Sequence, residues 1–148
     1  MTDKGYLYAW GRGFEGQLGL SETIEIASVP SYIKFFHGKQ VTFIAAGAFY
    51  SLAVTEKGEM FSWGEAKLGQ LGVGRHREVR TPKQIDFPPS EDGEPVRIKS
   101  CAAGFGHSAA LSTENSLYMW GFNTYGQVGL GDKKTHWLPE RILSDAEG

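Results

Sequence analysis

The sequence has one cysteine, little net charge and no long apolar run. A single cysteine, Cys101, excludes an internal disulfide and a cysteine-based metal site within one chain. The formal net charge of −2 gives no basic surface for nucleic acid. No stretch approaches the roughly 18 apolar residues of a membrane span, and Met1–Lys4 does not start a signal peptide. We therefore expect an intracellular protein of the cytoplasm or nucleus that does not bind nucleic acid and has no membrane span.

A repeat of roughly 55 residues organises the chain. Each unit contains an aromatic segment that ends in Trp-Gly, then a Gly-Gln-x-Gly turn, then a proline. The Trp-Gly segments are Leu7–Gly11, Met60–Gly64 and Leu117–Gly121; the turns are Gly16–Leu20, Gly69–Val73 and Gly126–Leu130; the prolines are Pro30, Pro82 and Pro139. An Ala-Ala-Gly segment also occurs twice, beginning at Ala45 and Ala102. A fixed period of this kind predicts tandem structural units rather than one irregular domain.

The segments between these landmarks are short, rich in β-branched and aromatic residues, and bounded by Gly, Pro or Asn. This pattern predicts strands, four in each complete unit. The predicted strands of the two complete units are Val41–Ala46, Ser51–Thr55, Glu59–Trp63, Pro82–Phe87, Val96–Ala102, Ser108–Ser112, Ser116–Trp120 and His136–Leu143.

Radial repetition of such small sheets predicts an all-β fold made of β-propeller blades with four antiparallel strands. We divide the partial propeller, residues 1–148, into a half blade at 1–40 and complete blades at 41–95 and 96–148. Two-residue alternation places Trp10, Trp63 and Trp120 on the large-residue face of equivalent strands. We expect these tryptophans to be structural and largely buried between blades.

The motif Leu-Tyr-x-Trp-Gly at Leu7–Gly11, with Gly-Gln-Leu-Gly at Gly16–Gly19 and Ala-Ala-Gly-x-x-His-Ser at Ala102–Ser108, resembles the regulator of chromosome condensation repeat. Tyr50 and Val128 depart from the family's usual His and Leu. The resemblance covers nearly the whole chain and implies a propeller of about seven blades. Two and a half blades cannot close such a ring. We therefore expect the N-terminal part of a longer propeller, or a short chain that self-associates or is completed by further propeller strands.

Several motifs that could carry chemistry have simpler explanations. Gly11–Gly16 matches the dinucleotide-binding pattern G-x-G-x-x-G, but no helix is predicted after it to receive phosphates. His107-Ser108 corresponds to Tyr50-Ser51 in the preceding unit, which favours a turn-closing hydrogen bond over a nucleophile and base. The remaining histidines lack metal-ligand spacing, and the acidic cluster in Pro88–Pro95 is typical of a solvated loop. We predict no catalytic, cofactor-binding or metal-binding residues.

Two functions remain open. The repeat itself favours a protein-interaction or scaffold module that binds one or more protein partners. The family resemblance implies an alternative, because the founding member is a guanine nucleotide exchange factor for a small Ran-like GTPase. Exchange acts through inserted loops and needs no catalytic triad, so the sequence predicts no enzyme active site under either hypothesis.

The loops that follow each Trp-Gly vary between units within an otherwise repeated frame, so we predict that they contact partners. Phe14 and Tyr125 are the expected aromatic anchors, unless both rings pack against their own blades. The candidate partner-binding residues are Arg12, Phe14, Glu15, Glu65, Lys67, Asn123 and Tyr125.

Overall fold

The computed structural model describes residues 1–142, which contain ten β-strands and one short 3₁₀ helix, Lys34–Phe36. The strands are β1 (Tyr8–Arg12), β2 (Ile26–Tyr32), β3 (Val41–Ala46), β4 (Tyr50–Thr55), β5 (Met60–Glu65), β6 (Glu78–Gln84), β7 (Ile98–Ala103), β8 (His107–Ser112), β9 (Leu117–Gly121) and β10 (His136–Ile142). No helix within this part of the chain is long and apolar enough to cross a membrane.

The strands form three antiparallel sheets in which each strand pairs with its neighbours in sequence. Strands β1 and β2 pair as the first, two-stranded sheet; β3 to β6 make the second sheet and β7 to β10 the third, each with four strands. The predicted all-β fold with four-stranded antiparallel blades is confirmed. Strand β7 of the third sheet also lies against β3 and β4 of the second sheet.

The hydrophobic core lies between successive sheets. One cluster joins the second sheet to the third and contains Leu52, Val54, Met60, Tyr118 and Trp120 among its buried residues. The other joins the two-stranded sheet to the second sheet, and its buried residues are Leu7, Ile33, Phe36, Val41, Ala53, Phe61 and Trp63. The facing surfaces of neighbouring sheets are therefore buried against each other. Two-residue alternation along β4 directs Ala53 to one cluster and Leu52 and Val54 to the other.

The tryptophan of each unit lies at an irregularity in strand pairing. The register of β5 and β6 shifts between Ser62 and Gly64, and the register of β1 and β2 shifts between Ala9 and Gly11. Gly64 has a φ of +114°, a left-handed conformation that favours glycine, and its Cβ position lies against the Tyr50 backbone. The glycine that follows Trp63 is therefore required by the backbone of the strand.

Several predicted strands differ from the structure by one or two residues at an end, and the strand predicted at Pro82–Phe87 differs by more. Strand β6 begins at Glu78, four residues before the predicted start at Pro82. The proline lies inside the strand because β6 is the outer strand of its sheet, where a missing N–H donor leaves no ladder hydrogen bond unmade. The last strand was predicted to reach Leu143, which lies outside the described residues.

Candidate functional site

Two kinds of loop meet at one end of the sheets. Pairing of Ala46 with Ser51, of Tyr50 with Gly64, and of Glu65 with Glu78 places the β3–β4 and β5–β6 connections side by side. The third sheet repeats this arrangement with the β7–β8 and β9–β10 connections. We call this surface the loop face and define it as residues 12–25, 47–49, 65–77, 104–106 and 122–135. The opposite end of the sheets carries the Pro88–Pro95 loop.

The repeated glutamine holds each long loop in shape. The side-chain carbonyl of Gln17 accepts a hydrogen bond from the Glu15 amide at 3.0 Å, and Gln70 accepts one from Leu68 at 2.8 Å. The side chain of Gln127 does the same for the Tyr125 amide at 2.9 Å. These loops are therefore fixed by local hydrogen bonds, so side chains at their tips project from a rigid frame.

The first long loop is also tied to the next sheet. The Arg80 guanidinium, on β6, donates to the Phe14 carbonyl at 2.9 Å and to the Gly13 carbonyl at 3.1 Å. The loop tip carries a charged and aromatic group in which Arg12 donates to Glu15 at 2.8 Å. The Arg12 guanidinium lies over the rings of Phe14 and Phe49, with centroids at 5.3 and 5.6 Å. Phe49 belongs to the β3–β4 loop, so this group bridges two units.

Aromatic side chains are exposed on the loop face. Phe14 is 46% exposed, Phe105 is 68% exposed and Tyr125 is 85% exposed. Tyr125 contacts Phe122 edge to face at 6.3 Å but is not covered by it. Exposed aromatic rings on rigid loops are characteristic of protein-interaction surfaces, since they supply contact area with little loss of rotamer freedom.

The structure places the charged candidates on the same face with partial exposure. Glu65 and Lys67 lie 4.0 Å apart and flank Ala66, which is buried. Asn123 was predicted to contact a partner, but the structure buries it fully. Its Oδ1 accepts from the Val128 amide at 2.9 Å, and its Nδ2 donates to the Lys134 carbonyl at 2.9 Å. Asn123 therefore closes its own loop and cannot reach a partner.

The shorter loops of this face were not predicted to contact partners. Phe49 and Phe105 lie on the β3–β4 and β7–β8 connections, which follow the Ala-Ala-Gly segments. The signal was present in the sequence, because the residues between Ala-Ala-Gly and the next strand also vary between units. Only the strand pairing shows that these loops lie beside the longer ones.

A recurring hydrogen bond joins successive units beneath the loop face. Trp63 Nε1 donates to the Gln17 main-chain carbonyl at 2.9 Å, and Trp120 Nε1 donates to that of Gln70 at 3.0 Å. Ser51 and Ser108 donate to the same two carbonyls at 2.9 and 2.7 Å. Trp63 and Trp120 are buried, as expected.

The prediction that all three tryptophans are buried is wrong for Trp10, which is 61% exposed. Among residues 1–142, no Gly-Gln-x-Gly turn lies against this indole. Equivalent strand position alone does not bury a tryptophan in this fold; the turn of the adjacent unit does.

The structure gives the positions of the remaining sequence motifs. Gly11–Gly16 leads from β1 into turns, and β2 is the next regular element, so no helix N-terminus faces this loop. Ser108 is buried and donates to Gln70, which leaves its hydroxyl inaccessible to a substrate. Tyr50, the counterpart of His107, donates from its hydroxyl to the His107 carbonyl in the next sheet. Burial raises the pKa of Tyr50 to about 12, so it remains a neutral donor. Within the described residues, no group of three or more His, Cys, Asp or Glu is arranged for a metal ion.

Comparison with protein-family models matches the regulator of chromosome condensation (RCC1) repeat at residues 4–54, 57–111 and 114–147. The ultraviolet-B receptor UVR8 of Arabidopsis thaliana is 36% identical over 142 residues, which cover 96% of this chain and 31% of that protein. Human protein RCC2 is 35% identical over 149 residues, covering 99% of this chain and 27% of RCC2.

The structure of Prp20p from Saccharomyces cerevisiae, a protein described with its binding to Gsp1p and histones, superimposes with a TM-score of 0.86. It is 28% identical and matches 99% of this chain and 36% of Prp20p. The chain thus spans about a third or less of the length of these similar proteins.

Proposed function

We propose that this chain, which belongs to the regulator of chromosome condensation (RCC1) repeat family, binds a protein partner through its loop face. The observation that carries the proposal is the exposure of Phe14, Phe105 and Tyr125 on loops that the glutamine side chains and Arg80 hold in place. Rigid loops reduce the ordering cost of binding, and aromatic anchors supply most of the contact energy at many interfaces.

The charges of the loop face favour a partner with mixed polarity over a polyanion. Arg12 and Glu15 neutralise each other at 2.8 Å, and Glu65 lies 4.0 Å from Lys67. The group at Arg12 therefore presents aromatic surface with a charged rim, which is the usual composition of an interface between proteins. Binding should depend more on the rings than on salt concentration.

The experiment uses the proteins that Prp20p is described as binding, Gsp1p and histones, as immobilised probes. We expect the wild-type chain to bind one of them, and Phe14→Ala and Tyr125→Ala each to weaken binding by roughly thirtyfold, equivalent to about 2 kcal/mol. Leu138→Ala is the matched control, because this apolar side chain is exposed on the outer strand β10, away from the loop face. Thermal melting of each variant confirms that the fold is intact.

Retained binding in both aromatic variants, together with loss of binding when Glu91 or Asp92 is replaced, would place the interaction on the opposite end of the sheets. If the chain binds neither Gsp1p nor histones, the proposal that the loop face binds one of these proteins is wrong.

Exchange-factor activity is a second candidate, favoured by the match to Prp20p along nearly the whole chain. A nucleotide-release assay tests it, with Gsp1p loaded with fluorescent GDP and this chain added in increasing amounts. Exchange activity requires release to accelerate with chain concentration and to be reduced by Phe14→Ala or Tyr125→Ala. Binding without faster release identifies an interaction module alone.

A further inference from the structure

A polar cavity lies at the end of the third sheet that is opposite the loop face. It is formed between the Pro88–Pro95 loop and the turn that joins β8 to β9, and its volume is about 150 Å³. A single buried water needs roughly 10–15 Å³, so this cavity has room for the end of a long side chain or for a small polar molecule. Its lining includes Asp92, Arg97, Ser112, Glu114, Tyr118 and Arg141.

Two buried hydroxyl groups on the cavity wall are available to an occupant. Tyr118 is 1% exposed, yet its hydroxyl has no hydrogen-bond partner among residues 1–142. Ser112 is 4% exposed, and its oxygen accepts from the Ser116 amide at 3.0 Å, which uses one of its two lone pairs. A buried polar group without a partner costs free energy, so these hydroxyls favour a polar occupant over an apolar one.

The equivalent place in the second sheet is filled by an ammonium group of the chain itself. Phe61 is the counterpart of Tyr118, since Phe61 pairs with Ala53 as Tyr118 pairs with Ala110. Lys39 extends over the Phe61 ring, with Nζ 5.6 Å from the ring centroid and 3.6 Å from Glu59 Oε1. The space left between Lys39 and the β4–β5 turn is only about 10 Å³. An ammonium therefore closes this position in the second sheet.

The third sheet receives no such lysine from its own connection. Strand β3 begins two residues after Lys39, and β7 begins two residues after Val96, so Val96 takes the place of Lys39. The chain has no lysine between Asp86 and Arg97. The longer loop of this unit thus leaves the cavity open where the shorter one fills it.

The charges around the cavity favour a cation. Three carboxylates and two guanidiniums line it and leave one net negative charge; they belong to Glu91, Asp92, Glu114, Arg97 and Arg141. Arg141 donates to Glu91 at 2.7 Å, and Arg97 Nε donates to the Lys57 carbonyl at 3.2 Å. These bonds leave Asp92 and Glu114 without a guanidinium of their own. Within the described part of the chain no set of three or more His, Cys, Asp or Glu side chains is arranged for a metal ion, so the cation is not a metal.

We propose that this cavity binds a primary ammonium group, carried either by a lysine side chain of a partner protein or by a small free amine. The ammonium donates to the hydroxyl oxygens of Tyr118 and Ser112, and the carboxylates of Asp92 and Glu114 balance its charge. It takes the role that Lys39 has in the second sheet. The site lies away from the loop face and does not depend on the proposed function.

The experiment titrates the chain with small amines and measures Kd from the shifts of its amide NMR signals. The probes are Nα-acetyl-lysine amide, which represents a protein lysine, and the free diamine cadaverine. We expect saturable shifts in the segment 112–118, and none with Nα,Nε-diacetyl-lysine amide, because acetylation removes the charge. A lower Kd for the lysine probe assigns the site to a protein partner, and a lower Kd for cadaverine assigns it to a free amine.

Two variants test the groups that hold the ammonium. Tyr118→Phe should raise Kd roughly tenfold, because it removes a buried hydrogen bond to a charged group. Glu114→Gln should raise Kd about threefold, since this carboxylate is exposed. Glu56→Gln is the matched control, because Glu56 is an exposed carboxylate on the corresponding turn of the second sheet, where Lys39 already fills the space. It should bind both amines like the wild type.

Val96→Lys tests the comparison between the two sheets. The new side chain should enter the cavity as Lys39 does and abolish binding of both probes, and circular dichroism checks that each variant is folded. Absence of saturable shifts with both amines would overturn the proposal. Equal binding of the diacetylated probe, or an unchanged Kd in Tyr118→Phe and Glu114→Gln, would also overturn it, because the charge or the cavity would then not be what the amine recognises.

Discussion

The hydroxyl of Tyr50 donates a hydrogen bond to the main-chain carbonyl of His107, which belongs to the next sheet. The Ser108 hydroxyl lies 3.1 Å from the Tyr50 oxygen and donates to the Gln70 carbonyl at 2.7 Å. These hydrogen bonds join Tyr50 and Gln70 of the second sheet's unit to His107 and Ser108 of the third. Such a network specifies the position of one blade relative to the next, because Tyr50 donates to carbonyls of the next blade and Ser108 of that blade donates back to Gln70.

Tyr50→Phe should lower the free energy of unfolding by about 0.5–1.5 kcal/mol, since it removes the hydroxyl that donates to the His107 carbonyl and lies within hydrogen-bond distance of the Ser108 hydroxyl. Tyr118→Phe is the control, because Tyr118 is equally buried but its hydroxyl has no hydrogen-bond partner among residues 1–142. Urea denaturation at neutral pH measures both. Equal losses in the two variants would assign the effect to general packing rather than to the network.

Alkaline pH should weaken the fold through the same residue. Burial raises the pKa of Tyr50 to about 12, above the value of 10.0 expected in the unfolded chain. The unfolded phenol therefore loses its proton first as pH rises, and the stabilising contribution, complete below pH 10, is lost between pH 10 and about 12. Unfolding curves across this range should fall more steeply for wild type than for Tyr50→Phe. Parallel pH profiles would contradict the prediction.

Trp63→Ala should cost about 3–5 kcal/mol, because it removes a buried indole and its hydrogen bond to Gln17. Trp10→Ala, at the equivalent strand position, should change the stability of the monomer by less than about 1 kcal/mol, since the indole is exposed. Thermal denaturation at low concentration compares the two. A similar loss at both positions would show that the strand, and not the adjacent turn, sets the contribution of the tryptophan.

Comparing Gly72→Ala with Gly129→Ala should separate the loss of stability due to a clash with an indole from the loss due to backbone strain. Both glycines have positive φ, so each substitution carries a backbone cost of about 1–2 kcal/mol. Only at Gly72 does the new methyl group also meet an indole, that of Trp120. We expect a clearly larger loss of stability for Gly72→Ala, measured by urea midpoint at concentrations where the chain is monomeric. A larger loss at Gly129 would be incompatible with the open space around its Cβ position.

Asn123→Ala should destabilise the chain by about 1–3 kcal/mol, although it lies in a loop. The amide bonds to the Val128 N–H and to the Lys134 and Asp132 carbonyls, and removing it leaves these groups unpaired. Thr124→Ala, at the neighbouring exposed position, should have little effect. Thermal melting distinguishes this structural role from the predicted role in partner contact. Replacing a residue that only contacts a partner would leave the melting temperature of the free chain unchanged.

The repeat determined most of the architecture from sequence alone. Trp-Gly, Gly-Gln-x-Gly and Ala-Ala-Gly recur at fixed spacing because each requires a particular backbone or packing arrangement in every unit. The strands and the four-stranded sheets follow from these landmarks and from two-residue alternation. Strand β6 was placed too late because a proline reads locally as a boundary, whereas an outer strand accepts it.

Tertiary structure alone decided which of the equivalent residues are buried. Trp10 and Trp63 have the same motif and the same strand irregularity, but within residues 1–142 a Gly-Gln-x-Gly turn lies against Trp63 and none lies against Trp10. Asn123 looked like a variable surface residue and is instead the centre of its loop. Sequence period fixes the form of each unit, because that form depends on local backbone geometry. Burial and exposure depend on which unit packs beside it, and no local pattern records that neighbour.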